Sequence, residues 1–148
     1  MVIEGTQDIA APREAVFRAL TDPEVLKRSI PGCEKLEQTG DNGYAIVLSA
    51  GIGSIKGKFT GTVRIQELTP PSHLRLSVEG RGQPGFVNGS GTLDLRDRNG
   101  ATTIAYSGDV QVGGLIASVG QRMIQGAAKM TASSFFKALE SELGGQSG

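Results

Sequence analysis

Apolar and polar residues alternate from Ile55 to Gln66. Ile55, Gly57, Phe59, Gly61, Val63 and Ile65 take one side of an extended chain, and Lys56, Lys58, Thr60, Thr62, Arg64 and Gln66 the other. This is a strand with one buried and one wet face. Alternation continues from about Cys33 to Val112, broken by turn signals at Gly40-Asp41-Asn42-Gly43, Pro70-Pro71-Ser72, Gln83-Pro84-Gly85 and Arg98-Asn99-Gly100, and so predicts an antiparallel meander. In the same register the inner face reads Leu74, Leu76, Val78, Gly80, Gly82, then Val87, Gly89, Gly91, Leu93, Leu95, then Ile104, Tyr106, Gly108, Val110, Val112. Gly57, Gly61, Gly80, Gly82, Gly89, Gly91 and Gly108 thus form a belt where a core would carry Val or Ile. Two explanations are open: glycine lets long strands bend or bulge, or it leaves room over the sheet for an apolar guest.

Helical spacing appears at both ends. In APREAVFRAL, Pro12 and Glu14 open a short helix whose stripe is Val16, Phe17 and Leu20. In DPEVLKRSIPG, Asp22 can accept from the first free amides, Pro23 suits the first helical position, Glu24 favours the positive end of the dipole, and Pro31-Gly32 stops the helix. Helices this short need a larger surface for Phe17, Leu20, Leu26 and Ile30. From about Gly114 to Leu143 the spacing predicts one long helix of about 45 Å. Its polar face is Ser118, Arg122, Gln125, Lys129, Ser133, Lys137 and Glu140; its apolar face is Ile116, Val119, Met123, Ile124, Ala127, Met130, Phe135 and Leu139. Gly120, Gly126, Ala127 and Ala128 thin its first half, which would face the glycine belt.

The 148 residues fit one domain, residues 1–143, with 144–148 as a flexible tail. Fifteen basic and fifteen acidic side chains cancel, there is no basic block, and the aromatics are five Phe and two Tyr, which argues against nucleic acid as a partner. A lone Cys33, an N-terminus without a signal-peptide pattern and the absence of a spanning apolar run predict a cytoplasmic protein with at most peripheral membrane contact, possible at the inner face. The chemistry of catalysis is sparse. The single histidine, His73, sits beside a turn and reads as a surface residue, Cys33 reads as a structural thiol, and one His with one Cys makes no zinc site. GRGQPG lies between strands and is not a phosphate loop. No catalytic residue, cofactor or metal is expected. Asn88 and Ser90 fall on the outer face, and Tyr106 on the inner face could donate to a ligand carbonyl or simply be a core tyrosine.

The order strand, two short helices, six strands, long helix is similar to the helix-grip fold of the START and Bet v 1 superfamily. ALTDPEVLKRSIPGCEKLE, GFVNGSGTLDL and VQVGGLIASVGQRMIQGAAKMTASSFF resemble CoxG, the G-subunit family of carbon monoxide dehydrogenase, along nearly the whole chain. The resemblance implies an α+β fold: a curved, seven-stranded antiparallel sheet wrapped around the C-terminal helix, with the short helices after strand 1 closing one end of a cavity. It also implies an accessory role in maturation or membrane attachment of molybdenum hydroxylases, with quinone handling as one form of that role. Longer members carry an apolar C-terminal anchor, whereas this sequence ends in SELGGQSG.

Together these readings predict a non-enzymatic protein that binds a lipid or quinone and partners molybdenum hydroxylase subunits. The cavity is expected to be lined by Phe17, Leu20, Leu26, Ile30, Phe59, Val78, Gly80, Gly82, Phe86, Gly89, Gly91, Tyr106, Ile116, Val119, Met123, Ala127 and Met130. Two alternatives stand beside it. A small cyclase-like enzyme would need a titrating group inside the cavity, and a pure interaction module presenting Lys56, Lys58 and Arg64 would have a solid interior.

Overall fold

The computed structural model describes residues 1–144, so the predicted tail lies almost wholly outside the described residues. Seven antiparallel strands form one sheet: β1 (Val2–Ile9), β2 (Cys33–Gly40), β3 (Gly43–Ile52), β4 (Ile55–Thr69), β5 (His73–Gly82), β6 (Gly85–Arg98) and β7 (Ala101–Gly113). Their order is β1-β7-β6-β5-β4-β3-β2, a meander from β2 to β7 with β1 returned to the far edge. Helices α1 (Arg13–Leu20) and α2 (Pro23–Ser29) separate β1 from β2, and α3 (Gln121–Gly144) crosses the inner face. This is the curved sheet around a C-terminal helix that the alternation and the family resemblance imply.

The brevity of α2 has local causes. The Asp22 carboxylate accepts the Glu24 amide at 3.0 Å, and Pro23 opens the helix. Pro31 keeps Ile30 out of helical geometry, and Ile30 is extended with ψ 119°. Gly32 then turns with φ +73°, where the Ser49 carbonyl leaves no space for a side chain, and Ser49 N–H donates to the Gly32 carbonyl at 2.9 Å. The chain is thereby handed directly into β2.

At this end the interior is solid. Val16, Phe17, Leu20, Val25 and Leu26 of the short helices pack with Phe136 and Leu139 of α3 and with Leu74, Leu95 and Ile104 of the sheet. Each large side chain buried there contributes about 2 kcal/mol. Two ties hold α3 in place: Glu140 accepts the Ala10 amide at 2.8 Å, and Glu142 pairs with Arg28.

The start of α3 departs from the expectation. Leu115–Val119 form a short 3-10 turn, Gly120 takes φ +95°, and the α-helix begins only at Gln121. Its 24 residues span about 36 Å rather than about 45 Å. Met123 and Met130, expected on the apolar face, are 48% and 71% exposed. They lie one residue before Ile124 and six after it, about 100° and 120° round the axis, on the side away from buried Phe136 and Leu139.

The glycine belt divides into two kinds. At Gly61 a Cβ would coincide with the Glu79 carbonyl and stand 2.8 Å from the Gly80 Cα, and at Gly82 it would meet the Lys58 carbonyl. At Gly91 it would lie 2.8 Å from the Ser107 oxygen and 2.9 Å from the Gly108 Cα. These positions mark two creases, one between β4 and β5 and one between β6 and β7, where neighbouring backbones approach too closely for any side chain. Gly80 and Gly89, between the creases, are different: their Cβ atoms would have ordinary contacts at 3.7 Å and 3.6 Å.

Gly61→Ala is therefore expected to cost about 3 kcal/mol. Gly80→Ala should be neutral or gain about 0.5 kcal/mol, because alanine narrows the unfolded chain without strain. Urea unfolding midpoints of the two variants check the split; equal losses would contradict it.

Candidate functional site

Beyond the solid end, the first turns of α3 stand off from the sheet and enclose a cavity of about 320 Å³. Its floor is built by inward positions of the strands: Ile46 and Leu48 of β3, Phe59 and Gly61 of β4, Val78 and Gly80 of β5, Val87 of β6, and Val110 and Val112 of β7. Ile124, Ala127, Ala128 and Thr131 of α3 form its roof, and Ile116 closes the side. Ile116 is held there because its amide donates to the Pro84 carbonyl at 2.6 Å, which seats the 3-10 turn on the β5–β6 hairpin. Gly80 adds open space, since its missing side chain would project toward Phe59.

Only Glu79 and Thr131 of the eighteen lining residues have polar side chains. Glu79 alternates with Val78 and Gly80, so its carboxylate belongs to the outer face opposite Asn88. Thr131 donates its hydroxyl to the Ala127 carbonyl at 2.8 Å. The cavity is thus an apolar chamber without an acid or base.

A second, smaller cavity of about 180 Å³ shares no lining residue with the first. Gly91 and Tyr106 line it together with Ile3, Leu76, Phe135 and Phe136. Tyr106 stacks on Phe136 with ring centroids 5.5 Å apart, and its hydroxyl lies over Gly5, 2.7 Å from where a Cβ would be. It therefore does not reach the larger chamber, as the reading of it as a carbonyl donor there requires.

Of the residues expected around one cavity, Phe59, Val78, Gly80, Ile116 and Ala127 come together in the larger chamber. Phe17, Leu20 and Leu26 are buried in the solid end, with Ile30 packed against it, because α1 and α2 sit on the C-terminal half of α3. Gly82 lies in a crease, Gly89 is not in the lining although its absent side chain would meet Val110 at 3.6 Å on the inner face, and Val119 and Met123 lie outside the lining with exposed Met130. Phe86, 40% exposed, lays its ring over Gly113 on the opposite side of β6. Ile46, Leu48, Val110, Val112 and Thr131 are among the lining residues that were not expected there. The first two were legible in the Tyr44, Ile46, Leu48 alternation, and Thr131 lies one helical turn after Ala127.

The register of β5 with β6 runs unbroken from His73 opposite Asp94 to Gly82 opposite Gly85, so Asn88 and Ser90 do face outward. No curated protein sequence matches the chain. The sequence model for CoxG, the G-subunit family of carbon monoxide dehydrogenase, matches residues 5–144. The chain belongs to the CoxG family. Among solved structures, a conserved protein from Geobacillus kaustophilus is 36% identical, with 97% of this chain and 95% of that one covered and a TM-score of 0.93. The ZhuI aromatase/cyclase from Streptomyces sp. R1128 shares the fold at 16% identity and a TM-score of 0.72, covering 96% of this chain and 92% of its own. Ara h 8.0201 does so at 18% and 0.71, with 96% of each chain covered. The CoxG-family chain thus has the Bet v 1-like fold.

Among the described residues, no ion pair includes a residue that lines the chamber. His73 holds Asp94 through Nδ1 at 2.8 Å and Glu67 through Nε2 at 3.1 Å, and Arg75 pairs with the same Glu67. Both ring nitrogens are engaged, so His73 is not available to Cys33. Desolvation, the largest influence on Cys33, raises its thiol above the ordinary range, and Sγ rests 3.5 Å from the Lys35 carbonyl. That is a structural thiol. Among the described residues no helix is long and apolar enough to cross a membrane.

Hydrogen bonding to Asp94 first, and then to Glu67, raises the pKa of His73. A raised folded-state value stabilises the fold fully below the unfolded pKa, and that contribution is lost as pH rises through the folded value. The melting temperature of the wild type should accordingly fall relative to His73→Gln as pH is raised from about 6 to about 8. Parallel pH profiles for the two proteins would contradict the pairing.

Proposed function

We propose that the protein is a non-enzymatic carrier that holds a lipid or quinone in the larger chamber and serves a carbon monoxide dehydrogenase or related molybdenum hydroxylase. The observation that carries the first half is the chamber itself. At about 320 Å³ it falls within the size of small-molecule sites, and its lining is almost wholly hydrocarbon. Burying an apolar ligand there removes water from both surfaces, which is the main source of affinity in such sites. The second half is supported by membership of the CoxG family.

Enzymatic chemistry has little to build on in this chamber. General acid-base catalysis needs a proton donor or acceptor within hydrogen-bond reach of the substrate, and none of the lining side chains supplies one. The ZhuI aromatase/cyclase shares the fold, but at 16% identity its named chemistry does not transfer. A pure interaction module has no need of a chamber.

Exposed Met123, Met130 and Leu115 lie near the chamber, with Arg122 and Lys129 on the same helix as the two methionines. They fit peripheral contact with a membrane from which such a ligand would be drawn.

The test is mass spectrometry of an organic extract from purified, denatured protein, compared with Gly80→Leu and with an unrelated protein prepared in the same way. Wild type is expected to yield a lipid or quinone near one per chain. Gly80→Leu, folded by circular dichroism, should yield less than a tenth of that. A blank from wild type, repeated after incubation with membrane lipids, would reject the carrier reading.

A further inference from the structure

The chamber's polar inventory narrows its ligand further. A buried carbonyl without a hydrogen-bond partner loses about ten-fold in affinity, and a quinone ring has two such groups. The lining offers no side-chain donor to meet them: the Thr131 hydroxyl is spent on Ala127, and the Glu79 side chain faces outward. Strand amides along the floor are engaged in unbroken ladders, β3 with β4 and β5 with β6. Tyr106, the hydroxyl best placed by its register, belongs to the other cavity.

Lining residues that are also exposed mark where the chamber meets solvent. Apart from Glu79, which is counted in the lining but turns its side chain to the outer face, these are Ala50 and Gly51 on β3 and Thr131 on α3, with half-buried Ala127 and Ala128 beside them. The opening therefore runs between the end of β3 and the first turns of α3, and small side chains frame it. Such a slot suits a narrow hydrocarbon chain. A 150 Å³ apolar cavity holds a six-carbon ring, so about 320 Å³ holds about twelve carbons.

We infer that the chamber takes the hydrocarbon end of an amphiphile, threaded between Ala50-Gly51 of β3 and Ala127-Ala128 of α3, and leaves the polar end, quinone ring or lipid headgroup, outside. This rests on the carrier reading but specifies which part of the ligand is inside. The ligand class is a molecule with an unbranched or prenyl chain of at least about twelve carbons. A compact ring bearing carbonyls, even of matching size, is a poor ligand.

The experiment is calorimetric titration of the full chain with dodecanoate and with menadione, a naphthoquinone without a tail. Dodecanoate is expected to bind at least ten-fold more tightly than menadione. Ala128→Trp, at a half-buried helix position and checked as folded by circular dichroism, should weaken dodecanoate at least ten-fold by blocking the slot. Menadione binding as tightly as dodecanoate would overturn the inference while leaving the carrier reading standing. Unaltered dodecanoate affinity in Ala128→Trp would overturn the threading path. If neither probe binds and wild-type extracts are blank, both the inference and the carrier reading fail.

Discussion

At Gly61 the carbonyl oxygen of Glu79 occupies the place of a side chain, and at Gly91 the Ser107 carbonyl and Gly108 Cα do nearly the same. These backbone-to-backbone approaches let strands of up to fifteen residues turn sharply enough to face α3 along its length. A flatter sheet would meet one helix along a single line and leave the flanking strands in water. The creases instead bring β3 and β7 toward opposite sides of the same helix, and both contribute to one chamber.

The grip is asymmetric along α3. Its C-terminal half is tied by Ala10–Glu140 and Arg28–Glu142 and packed against two short helices. Its N-terminal half carries small residues over an open floor. Hydrophobic burial at the closed end can stabilise the chain whether or not the open end is filled, so release of a ligand from the chamber would not require unfolding. The break at Gly120 belongs to the same division: it redirects the chain so that Ile116 closes the side of the chamber while Ile124 begins its roof.

Much of this was legible in the residues. Alternation in β4 to β7, the Asp22-Pro23 start and Pro31-Gly32 stop of α2, and the family motifs together pointed to element order, register and fold. What they left ambiguous was which glycines bend the sheet and which make room, because both kinds occupy the same inward parity. Only the neighbouring strand decides, and Gly61 and Gly80, directly opposite one another, have opposite roles. Periodicity misled at α3 because Met123 and Met130 are apolar and lie near the stripe read from the sequence, yet the face that is buried is the one marked by Ile124, Phe136 and Leu139. The short helices were recognised as needing a partner, but their spacing could not tell a cavity wall from a filled core.

The central claim is that curvature made by the crease glycines leaves an apolar chamber under the first half of α3. Crystallography of the protein under xenon pressure tests it most directly, because xenon settles in apolar cavities of this kind. The account predicts xenon between Phe59, Val78 and Ala127, with α3 still standing off from the sheet. Absence of xenon there, with Ile124 and Ala127 packed down on Val78 and Gly80, would contradict it.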